Sequence, residues 1–296
     1  MSTYAEIKFS DGTAAPGVAY GVGTSLFRQD CVREVTTALA AGYRHLDLAE
    51  VYETTKYVGD AIRDSGVDPK SLYITTKAGA GMTNVAKALD EELEKLGLES
   101  VDLYLLHWPH DFRQPEFPSM EEAWRAMIEV KKSGKAKSIG VSNFRVRDLQ
   151  KLIDSKPEEL PVVDQIEYHP YLYEVTEHVV QFCAEHNIAL AAYSPLAPLA
   201  RFGGGALNQA LEEVAAAVSE RYGGKLEPSQ VLLKFAAQRG FVVVTTSNKE
   251  WRMKEQLAAG GIPELTSEEV EKLVRAAKPS PRRAFEEHMG ELDVEY

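Results

Sequence analysis

An alternation constrains this chain more than any other feature. Eight short apolar runs rich in Val, Ile, Leu and Tyr recur along it, each followed by a stretch with helical periodicity. The runs are Val18–Gly23, His45–Ala49, Leu72–Lys77, Val101–His107, Ser138–Asn143, Asp164–His169, Ala189–Ser194 and Phe241–Ser247. Several are apolar almost throughout, the pattern of parallel strands covered on both faces rather than half-solvated antiparallel ones. Between them the punctuation is helical. Thr83–Leu96 places Val85, Leu89, Leu93 and Leu96 on one face and stops at Gly97. Met120–Lys132 does the same with Trp124, Met127 and Ile128; Thr176–His186 ends before Asn187, and Pro228 opens a helix running to about Gln238. The expectation is an α/β chain folded as a (β/α)8 TIM barrel, although an open doubly wound sheet would write a similar string. A length of 296 residues suits one barrel domain over 1–296.

Three segments fall outside the alternation. Glu6–Phe9 and the stretch after Gly12 read as an N-terminal β-hairpin capping the barrel floor, and Leu207–Tyr222 as an extra helix after strand seven. Pro279–Tyr296 reads as a C-terminal loop over the barrel top. The net charge of -12 argues against nucleic-acid or anionic-membrane partners, which need a basic surface. Two cysteines, Cys31 and Cys183, each in an apparent amphipathic helix, exclude a disulfide framework. The start of the chain lacks signal-peptide character, and no apolar run reaches membrane-spanning length, so a soluble cytoplasmic protein is expected.

Gly21-Val-Gly23 after the first strand, with Asp47 further on, imitates part of a dinucleotide-binding turn. The fingerprint needs a third glycine where Leu26 stands, so a tight turn at the top of strand one is the better reading.

Barrels of this kind carry their chemistry at the C-terminal ends of the strands. Here strand two ends in HLDLAEVY with Asp47 and Tyr52, strand three in ITTK with Lys77, and strand four in LLHWP with His107. Taken singly, each has a structural explanation: a tyrosine roofing the barrel, an internal ion pair, a packing histidine. Together they resemble the catalytic tetrad of the aldo-keto reductases. The resemblance spans nearly the whole chain through GYRHLDLA at 42–49, VDLYLLHWP at 101–109, IGVSNF at 139–144 and DQIEYHP at 164–170. It implies a monomeric oxidoreductase that passes a hydride to a small-molecule carbonyl. The alkoxide so formed needs a proton, and a tyrosine of pKa about 10 is a poor donor unaided. Lys77 is expected to lower that value, Asp47 to hold the lysine, and His107 to orient the substrate oxygen.

No HExxH, CxxC or paired His-carboxylate spacing offers a metal or flavin site. The resemblance instead implies a nicotinamide cofactor held by Ser142, Asn143 and Gln165. Tyr193 would stack on the ring, and Ser194 and Leu196 would meet the pyrophosphate. At the adenosine end, Ser247 and Arg252 match groups for the 2′-phosphate of NADP, and Glu255 and Gln256 stand at adenine-side positions. Thr245-Thr246 replaces the family's Pro-Lys, and Lys249 is the candidate to restore that charge. NADPH is therefore expected ahead of NADH. SPLAPLAR at 194–201, VTTS at 244–247 and RAF at 283–285 look like the fungal conjugated polyketone and ketopantoyl-lactone reductases. Pocket candidates are Ser25, Phe27, Trp108, the Asp111–Pro118 loop, Phe285 and His288. The competing readings are an aldose or xylose reductase on the same scaffold, and a cofactor-binding sensor with little catalysis.

Overall fold

A computed structural model describes residues 4–109, 112 and 117–285. A two-stranded antiparallel hairpin, β1 (Ile7–Lys8) and β2 (Ala14–Ala15), precedes a closed barrel. The barrel strands are β3 (Val18–Gly21), β4 (His45–Asp47), β5 (Tyr73–Ala78), β6 (Val101–Leu106), β7 (Ala136–Ser142), β8 (Val163–Glu167), β9 (Ala189–Tyr193) and β10 (Val242–Thr245). All pair in parallel, and β10 closes on β3 through Val243 beside Val18. The barrel, not the open sheet, is the outcome.

Each expected strand is present, but all except β5 end one or two residues early. Beyond Asp47, Glu167 and Thr245 the chain leaves the ladder and turns into the loops of the upper rim. Leu48 and Ala49 after β4 and Tyr168 after β8 are as fully buried as the strands, so the apolar runs extend past the ladder.

The helices are α1 (Val32–Ala41), α2 (Thr55–Ser65), α3 (Val85–Leu96), α4 (Met120–Lys132), α5 (Val146–Asp154), α6 (Tyr173–Glu185), the single turn α7 (Ala197–Ala200), α8 (Ala206–Tyr222), α9 (Pro228–Ala237), α10 (Glu250–Ala258) and α11 (Ser267–Ala277). Their ends follow local chemistry. Asn84 accepts from the Lys87 N–H at the start of α3, and Ser119 with Glu122 forms a capping box on α4. Cys31 corrects one expectation: it lies at the N-cap of α1 rather than within a helix, while Cys183 lies inside α6; both are buried and free.

Two apolar layers result. The larger fills the space between strands and helices. A smaller one gathers Leu103, Leu105, Val163, Ala191 and Val242 against Phe9 and Ala15. The hairpin thus seals one end of the barrel, and the opposite end is left for a site. Among the described residues no helix is long and apolar enough to cross a membrane.

Candidate active site

At the C-terminal ends of the strands opens a cavity of about 1300 Å³, lined by residues from Gly21 round to Phe285. Beneath it, residues of β4, β5 and β8 form one buried hydrogen-bonded set. β5 delivers Lys77, whose Nζ donates to Asp47 Oδ1 at 2.6 Å and to the Leu48 carbonyl at 2.8 Å. Both ion-pair partners are buried, Lys77 to 1% and Asp47 to 3% exposure. The second carboxylate oxygen of Asp47 accepts from Gln165 Nε2 at 2.8 Å. A buried charge pair survives only if its remaining valences are met in this way.

Tyr52 does not sit on a strand. It ends the 3-10 turn Glu50–Tyr52, which the chain forms on leaving β4. Glu50 secures that turn by accepting the Gly79 and Gly81 N–H groups at 3.1 and 2.9 Å, tying it to the loop after β5. The phenol ring then lies on bare backbone. A Cβ on Gly23 would come within 3.0 Å of Tyr52 Cζ. The second glycine of the false dinucleotide turn is therefore needed for the tyrosine, not for a phosphate. Lys77 Nζ lies 5.2 Å from the Tyr52 ring centre, and the His107 ring meets Tyr52 edge-on at 5.7 Å. Trp108 stacks on His107 at 4.1 Å.

The electrostatics correct one expectation. Burial raises the Tyr52 hydroxyl, and although Lys77 pulls it back down, the net position is above the ordinary value. Lys77 itself loses from burial, but Asp47 and then Tyr52 outweigh that loss and hold it above the usual lysine range. The phenol thus stays protonated beside a permanent ammonium.

Along the cleft, Asn143 adopts a left-handed conformation at φ 63°. Its Nδ2 donates to the His107 carbonyl at 2.9 Å, and its Oδ1 accepts from the Tyr193 hydroxyl at 2.8 Å. Ser142 donates to the Gln165 carbonyl at 2.8 Å. Ser194, also left-handed, turns the chain towards Leu196, and both line the cavity. At the far end lie Ser247, Arg252, Glu255 and Gln256. The Arg252 guanidinium rests 5.0 Å over the Trp251 ring. Burial, helped by Glu227, raises the Glu255 carboxyl despite Arg252. Gln256 is pinned from both ends, donating to the Thr246 carbonyl and accepting from Tyr43, each at 3.1 Å. Lys249 falls outside the lining and stands exposed at the N-cap of α10.

Ser25, Phe27, Trp108 and Phe285 all line the cavity. Of the Asp111–Pro118 loop only Phe112, Phe117 and Pro118 are described, and His288 lies outside the described residues. Sequence reasoning missed Val51, Arg201, Glu227 and Trp251, which also line the cleft. An exposed tryptophan directly before Arg252 was the one available signal.

A parallel barrel whose rim gathers a buried Lys–Asp pair, a tyrosine, a histidine and a long cleft has the architecture of a nicotinamide-dependent carbonyl reductase. The chain belongs to the aldo/keto reductase family, whose model matches residues 11–278. It is 37% identical over 287 residues to the NAD/NADP-dependent indole-3-acetaldehyde reductase of Schizosaccharomyces pombe, covering 95% of this chain and 98% of that one. It is 36% identical over 278 residues to the NADPH-dependent alpha-keto amide reductase of Saccharomyces cerevisiae, covering 89% and 88%. Among solved structures, a Bombyx mori aldo-keto reductase in complex with NADP superposes with a TM-score of 0.81 at 30% identity, covering 96% of both chains. This protein is accordingly an oxidoreductase acting on carbonyl compounds.

Proposed function

We propose that the chain reduces a small carbonyl flanked by a second carbonyl, using NADPH, with Tyr52 as proton donor. The observation that carries the reading is the Tyr52 hydroxyl held beside the buried Lys77–Asp47 pair in the cavity wall. The cleft suits a dinucleotide: it is long, and its far end offers Ser247 and the Arg252 guanidinium, the group best shaped for a phosphate. When bound there, NADPH supplies the hydride.

The remaining work belongs to the protein. His107 and Tyr52 pack edge-on in the cavity lining, where together they would hold the substrate oxygen. Tyr52 passes its proton to that oxygen as negative charge develops, and Lys77 stabilises the phenolate left behind. Asn143 and Gln165 carry amides fit for a carboxamide. Their contacts with Tyr193, His107 and Asp47 fix both side chains in the cavity lining, where they would meet it.

Substrate choice rests on the wall. Ser25, Phe27, Val51, Trp108 and Phe285 are uncharged and mostly apolar, which favours compact diketones and keto-lactones over polyhydroxylated sugars, and the Arg201 guanidinium over Phe285 adds a positive group at the edge. A relative named for alpha-keto amides points to the same vicinal dicarbonyl chemistry. The test is NADPH consumption, followed by absorbance, with isatin, ketopantoyl lactone, an aromatic aldehyde and xylose. The dicarbonyls are expected to show the highest kcat/KM; a clear preference for xylose would replace this reading with that of an aldose reductase.

Arg252→Ala should weaken NADPH binding roughly tenfold, the loss of one charge-assisted contact, with little effect on NADH. Fluorescence titration of both cofactors measures this, and equal losses would place the 2′-phosphate elsewhere.

A further inference from the structure

Glu167 ends β8 with no exposed surface, a place where a carboxylate is costly unless its charge is met. Within the barrel its Oε1 contacts His169 Nε2 at 2.9 Å. The other partners arrive from the C-terminal segment. The Ala284 N–H donates to Oε1 at 2.6 Å, and the Arg283 guanidinium approaches Oε2 at 3.8 Å with its side chain almost fully buried. Ala284 is held on its other side too, its carbonyl accepting from Arg201 at 2.9 Å. The next residue, Phe285, is thereby delivered into the cavity wall. Its ring meets Tyr193 edge-on at 6.0 Å and carries the Arg201 guanidinium at 4.8 Å.

We propose that Glu167 is a positioning residue for substrate binding: it docks the segment carrying Arg283 and Ala284, and so sets Phe285 as one wall of the substrate cavity. The inference rests on the carbonyl-reductase reading for its kinetic consequence, but not for the docking itself. Glu167 touches neither substrate nor the reacting atoms. It acts through Phe285, and Arg201 joins the same segment to the loop carrying Ser194 and Leu196.

Two readouts test this on the full chain. The first is tryptic cleavage after Arg282 and Arg283, timed by mass spectrometry under native conditions. Glu167→Gln keeps the shape but removes the charge, and should accelerate cleavage roughly tenfold, since a charge-assisted contact is lost. Phe285→Ala should give a smaller acceleration. Unchanged cleavage in Glu167→Gln would overturn the docking, whatever the activity. The second readout is steady-state kinetics with isatin at saturating NADPH. Glu167→Gln, Arg283→Ala and Phe285→Ala should each raise KM more than they lower kcat. Adding Glu167→Gln to Phe285→Ala should change KM by less than about twofold, because contacts that act through one residue are not additive. A full additional loss in the double variant would assign Glu167 to the barrel alone. Faster cleavage together with no turnover of isatin by the unmodified chain would leave the docking standing and remove the dicarbonyl reading instead.

Discussion

Tyr52→Phe is expected to lower kcat by about 10²–10⁴-fold, the range for a positioned general acid, while NADPH still binds. The change removes one hydroxyl and keeps the ring that rests on Gly23 and meets His107. The wall is therefore preserved and only the proton is lost. Rapid-mixing absorbance at saturating NADPH, beside a fluorescence titration of the cofactor, separates the two effects. Turnover within tenfold of the unmodified chain would remove Tyr52 from the chemistry. With Tyr52 as the proposed donor, the same residue would fix the pH behaviour of reduction. An acid must be protonated to donate, and burial holds this phenol above its ordinary value. The rate should therefore stay free of any fall due to Tyr52 through neutral pH, and decline only above the ordinary tyrosine value of about 10.

Lys77→Met carries the second large effect, on rate and on stability together. It strips the ammonium from the phenol and leaves Asp47 buried with Gln165 as its remaining side-chain donor among the described residues. An uncompensated buried charge costs about 3–5 kcal/mol, which urea unfolding followed by circular dichroism would detect. The double variant Lys77→Met with Asp47→Asn should recover much of that stability, because no charge is then stranded, yet recover no activity. Recovery of activity along with stability would mean that the pair serves the fold alone. The pair also sets an alkaline limit. The folded-state pKa of Lys77 is raised, so its stabilising contribution is complete below the unfolded value of about 10.4 and is lost as pH rises through the folded one.

The barrel was legible because its signal is redundant. Eight buried parallel strands each write an apolar run, and helices such as α4 mark their own ends with a serine, a glutamate and a glycine. The strand ends that carry Asp47, Lys77 and His107 could be read for the same reason, since fold and motif coincide there. Boundaries were less legible. Tyr52 belongs to a 3-10 turn held by Glu50 against the loop after β5, while Asn143 takes a left-handed position that asparagine tolerates locally but that no periodicity marks.

What the amino-acid sequence determines by itself, then, is the set of candidate reactive groups and the order in which a parallel barrel presents them. Tertiary structure alone decided the rest, because each remaining feature depends on partners far apart in the chain. The glycine that looked like part of a nucleotide turn makes room for the tyrosine ring. Gln256 spends its amide on Tyr43 and Thr246, while Lys249 stands exposed outside the cleft lining. The phenol's protonation follows from burial outweighing a lysine, a balance set by packing and not by composition. Glu167 acquires its role only when Arg283 and Ala284 fold back onto it across more than a hundred residues, a meeting that periodicity along the chain cannot record.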